Sequence, residues 1–391
     1  MKKYINALSK IIICILVALN LTSCWSAHEL NKLAIVMGVG IDKAKEIDEV
    51  QMTVQVAKVL EIKGFSKNTS ASGANKSYLN LHEKAKSISD AVKAFNRKIN
   101  RSLLFSHNQV IILGKDMAEA GIEKSMDFFL RYRETRLLVW VLVSNGTASE
   151  ILDVKPEIET TPGRNIGELI KNQKNTSQIP AVDLRDFASR LMSKTTAPIA
   201  PIIEVSKEDN KKIAYLSETA VFKKDKMIGT LNKTETRGLL WGINKVKGGV
   251  IVVSTLDNKD KVNLEITSSK SKIIPQIKDD EIYIKIDIKE DGDLSEQTSS
   301  EDLANPKAFA ILQKSEEDVI KKEVMAALKK ARELNADIFG FGDAIYQHYP
   351  KQWLKMEKNW DEIFQNIHVD VSVDAKLKRT GRITKPIMFK D

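Results

Sequence analysis

The chain has 391 residues, 42% hydrophobic and 29% charged. That balance excludes a disordered polymer and allows two or three globular domains at roughly 150 residues each. Its two cysteines are Cys14 and Cys24, so everything after residue 24 lacks a thiol, a disulfide or a cysteine metal ligand and must be held by its cores. The formal charge of +9 is mild for this length and suits, weakly, a position near an anionic membrane or wall polymer.

Lys2, Lys3 and Lys10 make the first residues basic, Ile11 to Asn20 is a short apolar run, and Leu21-Thr22-Ser23-Cys24 follows at once. A helix of that length reaches about half of a ~30 Å hydrocarbon core. The pattern predicts a lipoprotein signal peptide over residues 1–23, cleaved so that Cys24 carries the diacylglyceryl and N-acyl groups. Losing the three lysines lowers the formal charge from +9 to +6, and export excludes nucleic acid as a partner. No later stretch approaches the roughly 18 uncharged apolar residues of a membrane helix, so the body is expected to be soluble and tethered by lipid.

Leu33 to Ile41 reads as a buried strand close to the anchor, and Val50 to Val56 alternates as a half-buried one. Ile62 to Ser77, rich in Ser, Asn and Gly, is a predicted loop. Ile88, Val92, Phe95 and Ile99 fall at helical spacing behind the capping residues Ser87 and Ser89. Val110 to Leu113 and Leu137 to Val143 are further strands, with short helices at 118–121 and 126–132. From Ala148 to Ser193 the pattern is helical and polar, broken at Pro156, Pro162 and Pro180, and Ala197 to Pro201 reads as a connector. A domain boundary is placed there, giving regions 24–205, with two sub-domains, and 210–391. Strands are then predicted at 212–222 and 227–231, a helix at 234–243, and a hairpin from Val250 to Thr267 about the turn 257–260. Glu281 to Ile288 alternates, Lys289 to Asp302 is an acidic loop, and the longest helix runs from Pro306 to Leu334 on a stripe of Leu312, Ile320, Val324, Leu328 and Ala331. Val369 to Ala375 is a last strand before a turn at Thr380-Gly381. Strands and helices mix without a regular βαβ series, which predicts an α+β, multi-domain fold of small mixed sheets flanked by helices.

Several segments, in order, resemble the C subunit of spore nutrient germinant receptors, the GerC-type germination lipoproteins. They are Cys24-Trp25, Glu29-Leu30-Asn31, Leu33 to Lys43 (LAIVMGVGIDK), Phe105-Ser106-His107 with Val110 to Gly114, and Arg131 and Arg136 about a charged segment. Glu218 to Leu231, Glu235 to Trp241 (ETRGLLW), Asp337 to Gly342 (DIFGFG), Tyr349-Pro350-Lys351 and Asn359-Trp360-Asp361 follow. Ala27 and His28 depart from the charged residues usual after the Cys-Trp pair. The resemblance implies three small α/β domains held by lipid on the outer face of the spore inner membrane. It implies integral membrane A and B subunits as partners, nutrient-triggered germination as the function, no cofactor and no catalytic residues. A lipid-anchored solute-binding protein that captures the germinant is the alternative, and it requires a cleft.

Chemistry-bearing patterns are sparse. His28-Glu29 opens like a zinc-protease helix, but Lys32 stands where the second histidine must be. The five histidines, 28, 82, 107, 348 and 368, form no short pair, and His107 reads as a satisfied structural residue. Gly38-x-Gly40 and Gly340-x-Gly342 do not continue into a phosphate-binding pattern and read as close backbone turns. A wall-acting hydrolase would need two carboxylates about 5–10 Å apart in a groove, and no pair is evident. Seven of the 24 aromatic residues, Phe339 to Phe364, lie within 26 positions. Phe339 and Phe341 are expected in the core. Trp353 and Trp360, set among Lys351, Lys355 and Lys358, are candidate partner-binding rings, at least one expected partly exposed.

Overall fold

The computed structural model describes residues 4–6, 10, 32–46, 48–58, 77–254, 260–279 and 281–383. The predicted cleavage site, Cys24, His28, the loop 62–76 and the turn 257–259 lie outside the described residues. Two sheets with flanking helices form an α+β architecture, and no helix among the described residues is long and apolar enough to cross a membrane.

The larger sheet has nine strands. β1 (Leu33–Lys43) is central. β2 (Val50–Ala57) and β3 (Tyr78–Ala85) extend it antiparallel on one side. On the other side β4 (Ser102–Leu104) and β5 (Val110–Leu113) pair with successive parts of β1 in parallel, and β6 (Trp140–Ser144) and β7 (Ile199–Glu208) follow in parallel. Helices α1 (Ile88–Phe95), α2 (Lys115–Ala120), α3 (Glu123–Arg131) and α6 (Leu184–Leu191) contribute buried residues to the principal core. Helices α4 (Ala148–Asp153) and α5 (Pro162–Lys171) bury Ile151, Leu152, Ile166 and Ile170 in a separate smaller core with Val110, Ile112 and Leu142. Adjacent residues of β5, Val110 and Ile111, thus enter different cores, as the two-residue period of a strand requires.

Gly38 and Gly40 are strand residues, not turn residues. A Cβ on Gly38 would stand 2.8 Å from the Leu152 side chain, and one on Gly40 would stand 2.9 Å from Ala148 Cβ. The glycine pair therefore lets α4 lie directly on β1. Pro162, predicted as a helix breaker, instead opens α5 at a position where its missing N–H costs nothing.

The expected boundary near 205–210 falls inside this sheet. β7 turns at Asp209 and Asn210, both at positive φ, and returns as β8 (Lys211–Lys223), with β9 (Lys226–Leu231) at the edge. Such a two-residue turn matches the twist of the strands it joins. The Ala197 to Pro201 connector is also partly strand, because Pro201 sits beside a register shift where a missing donor is tolerated.

The second sheet has the order β10 (Val250–Ser254), β11 (Lys261–Lys278), β12 (Glu281–Gln297), β13 (His368–Arg379). The acidic loop expected at 289–302 is strand as far as Gln297. Its alternation continues through Glu290 and Gly292, which occupy inward positions and so hide the apolar rhythm. α7 (Lys233–Gly242) and the 28-residue α8 (Pro306–Glu333) cover this sheet. α9 (Phe341–His348), α10 (Pro350–Met356) and α11 (Trp360–Asn366) complete the crossover to β13.

Candidate functional site

Three of the segments that carried the sequence resemblance have a structural task. Asp42 ends the LAIVMGVGID strand, and its carboxylate accepts the backbone N–H groups of Ala148 and Ser149 at 2.7 and 3.1 Å, at the start of α4. Burial raises its pKa, and those two amide bonds oppose the shift. In ETRGLLW, Glu235 closes a capping box with Asn232. Arg237 forms a buried ion pair with Glu323 of α8, with Nε at 2.8 Å, and Trp241 Nε1 donates to the same carboxylate at 3.0 Å. A Cβ on Gly238 would lie 1.9 Å from the Glu323 carbonyl oxygen, so this stretch fastens α7 to α8 at backbone contact.

The DIFGFG stretch is built the same way. Asp337 is buried and its carboxylate accepts the N–H groups of Gly340, Phe341 and Gly342 at 2.8–3.0 Å. Burial pushes its pKa up to about 6 against those three bonds. Gly340 takes φ +79°, and Gly342 leaves room for Thr195. Asp343 accepts from Ser193, Thr195 and Thr196, and Arg190 donates to the carbonyls of Ala197 and Ile338 at 3.0 and 2.9 Å. Loops 193–197 and 337–343 are thereby stitched together, joining the two halves of the chain.

The groups that could do acid–base or metal chemistry are elsewhere. His82, His107, His348 and His368 are exposed and scattered. His107, expected as a satisfied structural residue, ends a 3-10 turn at the surface. No three His, Cys, Asp or Glu side chains are grouped for a metal ion among the described residues. Two carboxylates do meet, Glu290 of β12 and Glu316 of α8, but they are 2% and 0% exposed. No polysaccharide reaches them. Burial first, then the facing Glu316, pushes the Glu290 pKa up to about 9, and burial pushes Glu316 up to about 7.

Trp353 and Trp360 are both buried, at 4% and 5% exposure, and meet edge to face with ring centroids 5.1 Å apart. The expectation that one ring would be partly exposed is corrected. α10 and α11 fold on each other, so the lysines among them point out while the indoles turn in. Phe339 and Phe341 are core, stacked at 5.2 Å. Exposed apolar side chains in the same segment are Tyr346 and Leu354.

Two clefts, neither legible in the sequence, lie where the halves meet. The larger, about 700 Å³, is walled by Arg190, Lys223, Asp337, Lys358, Trp360 and Asp361. The smaller, about 420 Å³, has an apolar floor and a rim of lysines. Arg190 belongs to both.

Comparison with known proteins identifies the architecture. Residues 26–205 match the family model described as spore germination protein N-terminal domain, and residues 217–381 match the one described as spore germination B3/GerAC like, C-terminal. The chain belongs to the GerAC-like spore germination proteins. It is 25% identical to spore germination protein KC of Bacillus subtilis, over 97% of this chain and 98% of that one. It is 27% identical to spore germination protein YndF of the same organism, over 95% and 96%. It is 20% identical to spore germination protein GerQC of Bacillus cereus, over 88% and 95%. The crystal structure of the GerBC protein superposes with a TM-score of 0.57 at 19% identity, covering 87% of this chain and 96% of that one, which shows a shared fold. Membership in this family gives the chain a role in spore germination. The two family regions part near residue 210 in sequence, whereas β7, β8 and β9 carry hydrogen bonding across that point.

Proposed function

We propose that this chain is the lipid-anchored, non-enzymatic C subunit of a nutrient germinant receptor. Cys24 carries the lipid on the outer face of the spore inner membrane, and the body docks on the integral membrane A and B subunits. One observation carries the reading. The residues that mark the family, Asp42, Arg237, Gly238, Trp241 and Asp337, are all engaged in joining elements of the fold. Residues engaged in assembling a rigid body suit a scaffold or docking subunit, and even Asp337, which borders the larger cleft, has its carboxylate taken up by three backbone N–H groups. Two acyl signals hold a chain stably where one holds it marginally, which fits a diacylated Cys24.

The test is recovery of the tagged full chain from spore membranes. The integral subunits should come with it in fixed ratio, and Cys24→Ala should lose palmitate label and leave the membrane. Recovery of the wild-type chain alone, or continued labelling of the variant, would refute the reading. Capture of a solute is the second reading, favoured by the smaller cleft.

A further inference from the structure

The smaller cleft has the composition of a binding site. Its floor is apolar: Ile170, Ile179, Val182, Ile199 and Leu240 are buried and line it. They come from both halves of the chain, from the end of α5 and the segment after it on one side, and from the end of α7 on the other. The two sides are clamped. Ser177 is buried at φ +48°, and its hydroxyl accepts the N–H groups of Lys247 and Gly248 at 3.0 and 3.3 Å. A Cβ on Gly248 would stand 3.1 Å from the Lys174 carbonyl oxygen, and one on Gly249 would stand 2.6 Å from that of Thr176. Backbone contact at this place sets Lys174 and Lys247 together at the mouth.

The charge around the cleft is lopsided. Lys171, Lys174, Lys245, Lys247 and Arg190 line it against a single carboxylate, Asp186. Lys171 is paired with Glu168 at 2.7 Å, and Lys245 takes Asp186 at 3.1 Å. Among the described residues, neither Lys174 nor Lys247 has an ion-pair or hydrogen-bond partner for its ammonium group. Arg190 is anchored by two backbone carbonyls and, among the described residues, donates to no carboxylate, while Asp337, Asp186 and Asp343 lie near enough to act on its charge. Holding like charges around one concavity is unfavourable, and an anion relieves it.

We propose that this cleft binds a small organic anion with an apolar body. Its volume of about 420 Å³ lies in the range of clefts that enclose small ligands, in which an apolar floor supplies burial and a few charged groups fix orientation. The apolar body rests on the half-buried Trp140 and Ile243, which cover that floor, and the anionic head meets Lys174 and Lys247. A bare inorganic anion would leave the floor wet, and a neutral apolar molecule would leave the lysines unpaired. The assignment goes beyond the receptor-subunit reading and does not depend on it, since binding is measured without partner subunits.

The experiment is calorimetric titration of the full chain in phosphatidylcholine nanodiscs, with empty discs subtracted. The probes are 3-phenylpropionate and its neutral counterpart 3-phenylpropanol. A charge-assisted contact should make the acid bind one to one and about tenfold tighter or more than the alcohol. Lys174→Ala with Lys247→Ala should abolish that preference while leaving alcohol binding intact. Ala181→Trp, at an exposed position on the lining, should block both probes. Equal affinity for acid and alcohol, an acid preference that survives the double variant, or no saturation by about 10 mM would overturn the proposal. Replacing the disc lipid with phosphatidylglycerol separates two sources of the same chemistry. Loss of acid affinity there supports a lipid-derived anion, and unchanged affinity supports a free solute.

Discussion

Glu290 and Glu316 face each other between β12 and α8, and replacing Glu290 by glutamine tests how the protein accommodates them. All four carboxyl oxygens are buried without a hydrogen-bond partner among the described residues. Asp291 and Asp293 follow Glu290 on its own strand, and Glu317 adjoins Glu316 on the helix. Both pKa values are raised, Glu290 from 4.5 to about 9 and Glu316 from 4.5 to about 7. A raised carboxyl pKa means that the folded state binds protons the unfolded chain has released. Stability is then fully present below about pH 4.5 and falls as pH rises, for Glu290 until about pH 9. Each pH unit in that window is worth about 1.36 kcal/mol per group. From pH 5 to pH 8, Glu290 therefore removes up to about 4 kcal/mol, and relaxation of the site lowers that figure. Glu290→Gln lacks the titration. Its stability relative to the parent should improve by about 2–4 kcal/mol between pH 5 and pH 8. Urea unfolding of the purified protein at four pH values in that range measures it. A difference that stays constant with pH to within about 0.5 kcal/mol would show that Glu290 is ionised in the fold, and the argument would fail.

Other perturbations read the same framework. Glu323→Ala leaves the Trp241 indole unpaired and reduces Arg237 to its contact with the Val250 carbonyl, and should cost about 3–5 kcal/mol in chemical unfolding; a loss below about 1 kcal/mol would mean that the pair is solvated. Gly238→Ala places a methyl group against the Glu323 carbonyl, so a loss of about 1–3 kcal/mol or more is expected, and an unchanged midpoint would contradict the close approach. Trp353→Ala and Trp360→Ala should each unfold early, by about 3–5 kcal/mol, because both rings are buried. A variant of either that keeps parental stability but fails to recover membrane subunits would return that ring to the surface.

Local chemistry was legible in the residues themselves. The alternation of β2, the stripe of α8 and the capping residue Ser87 depend on neighbours in sequence, so spacing alone places them. The ordered segments from LAIVMGVGIDK to DIFGFG also reached the family without coordinates. Their purpose did not follow, because a glycine in a strand reads the same whether it turns or receives a helix. Only the fold shows α4 on Gly40 and α8 on Gly238. Long-range pairing decided the rest. Glu290 in β12 and Glu316 in α8 meet only after the sheet and helix pack. Lys174 and Lys247 are brought to one mouth by backbone contacts between distant segments. Trp353 and Trp360 sat among lysines in sequence, yet the turn between α10 and α11 closes them onto each other. Sequence fixes which side chains are apolar, charged or able to cap, since those are properties of single residues and short spacings. Burial and proximity of distant groups are properties of packing, and only the tertiary structure assigns them.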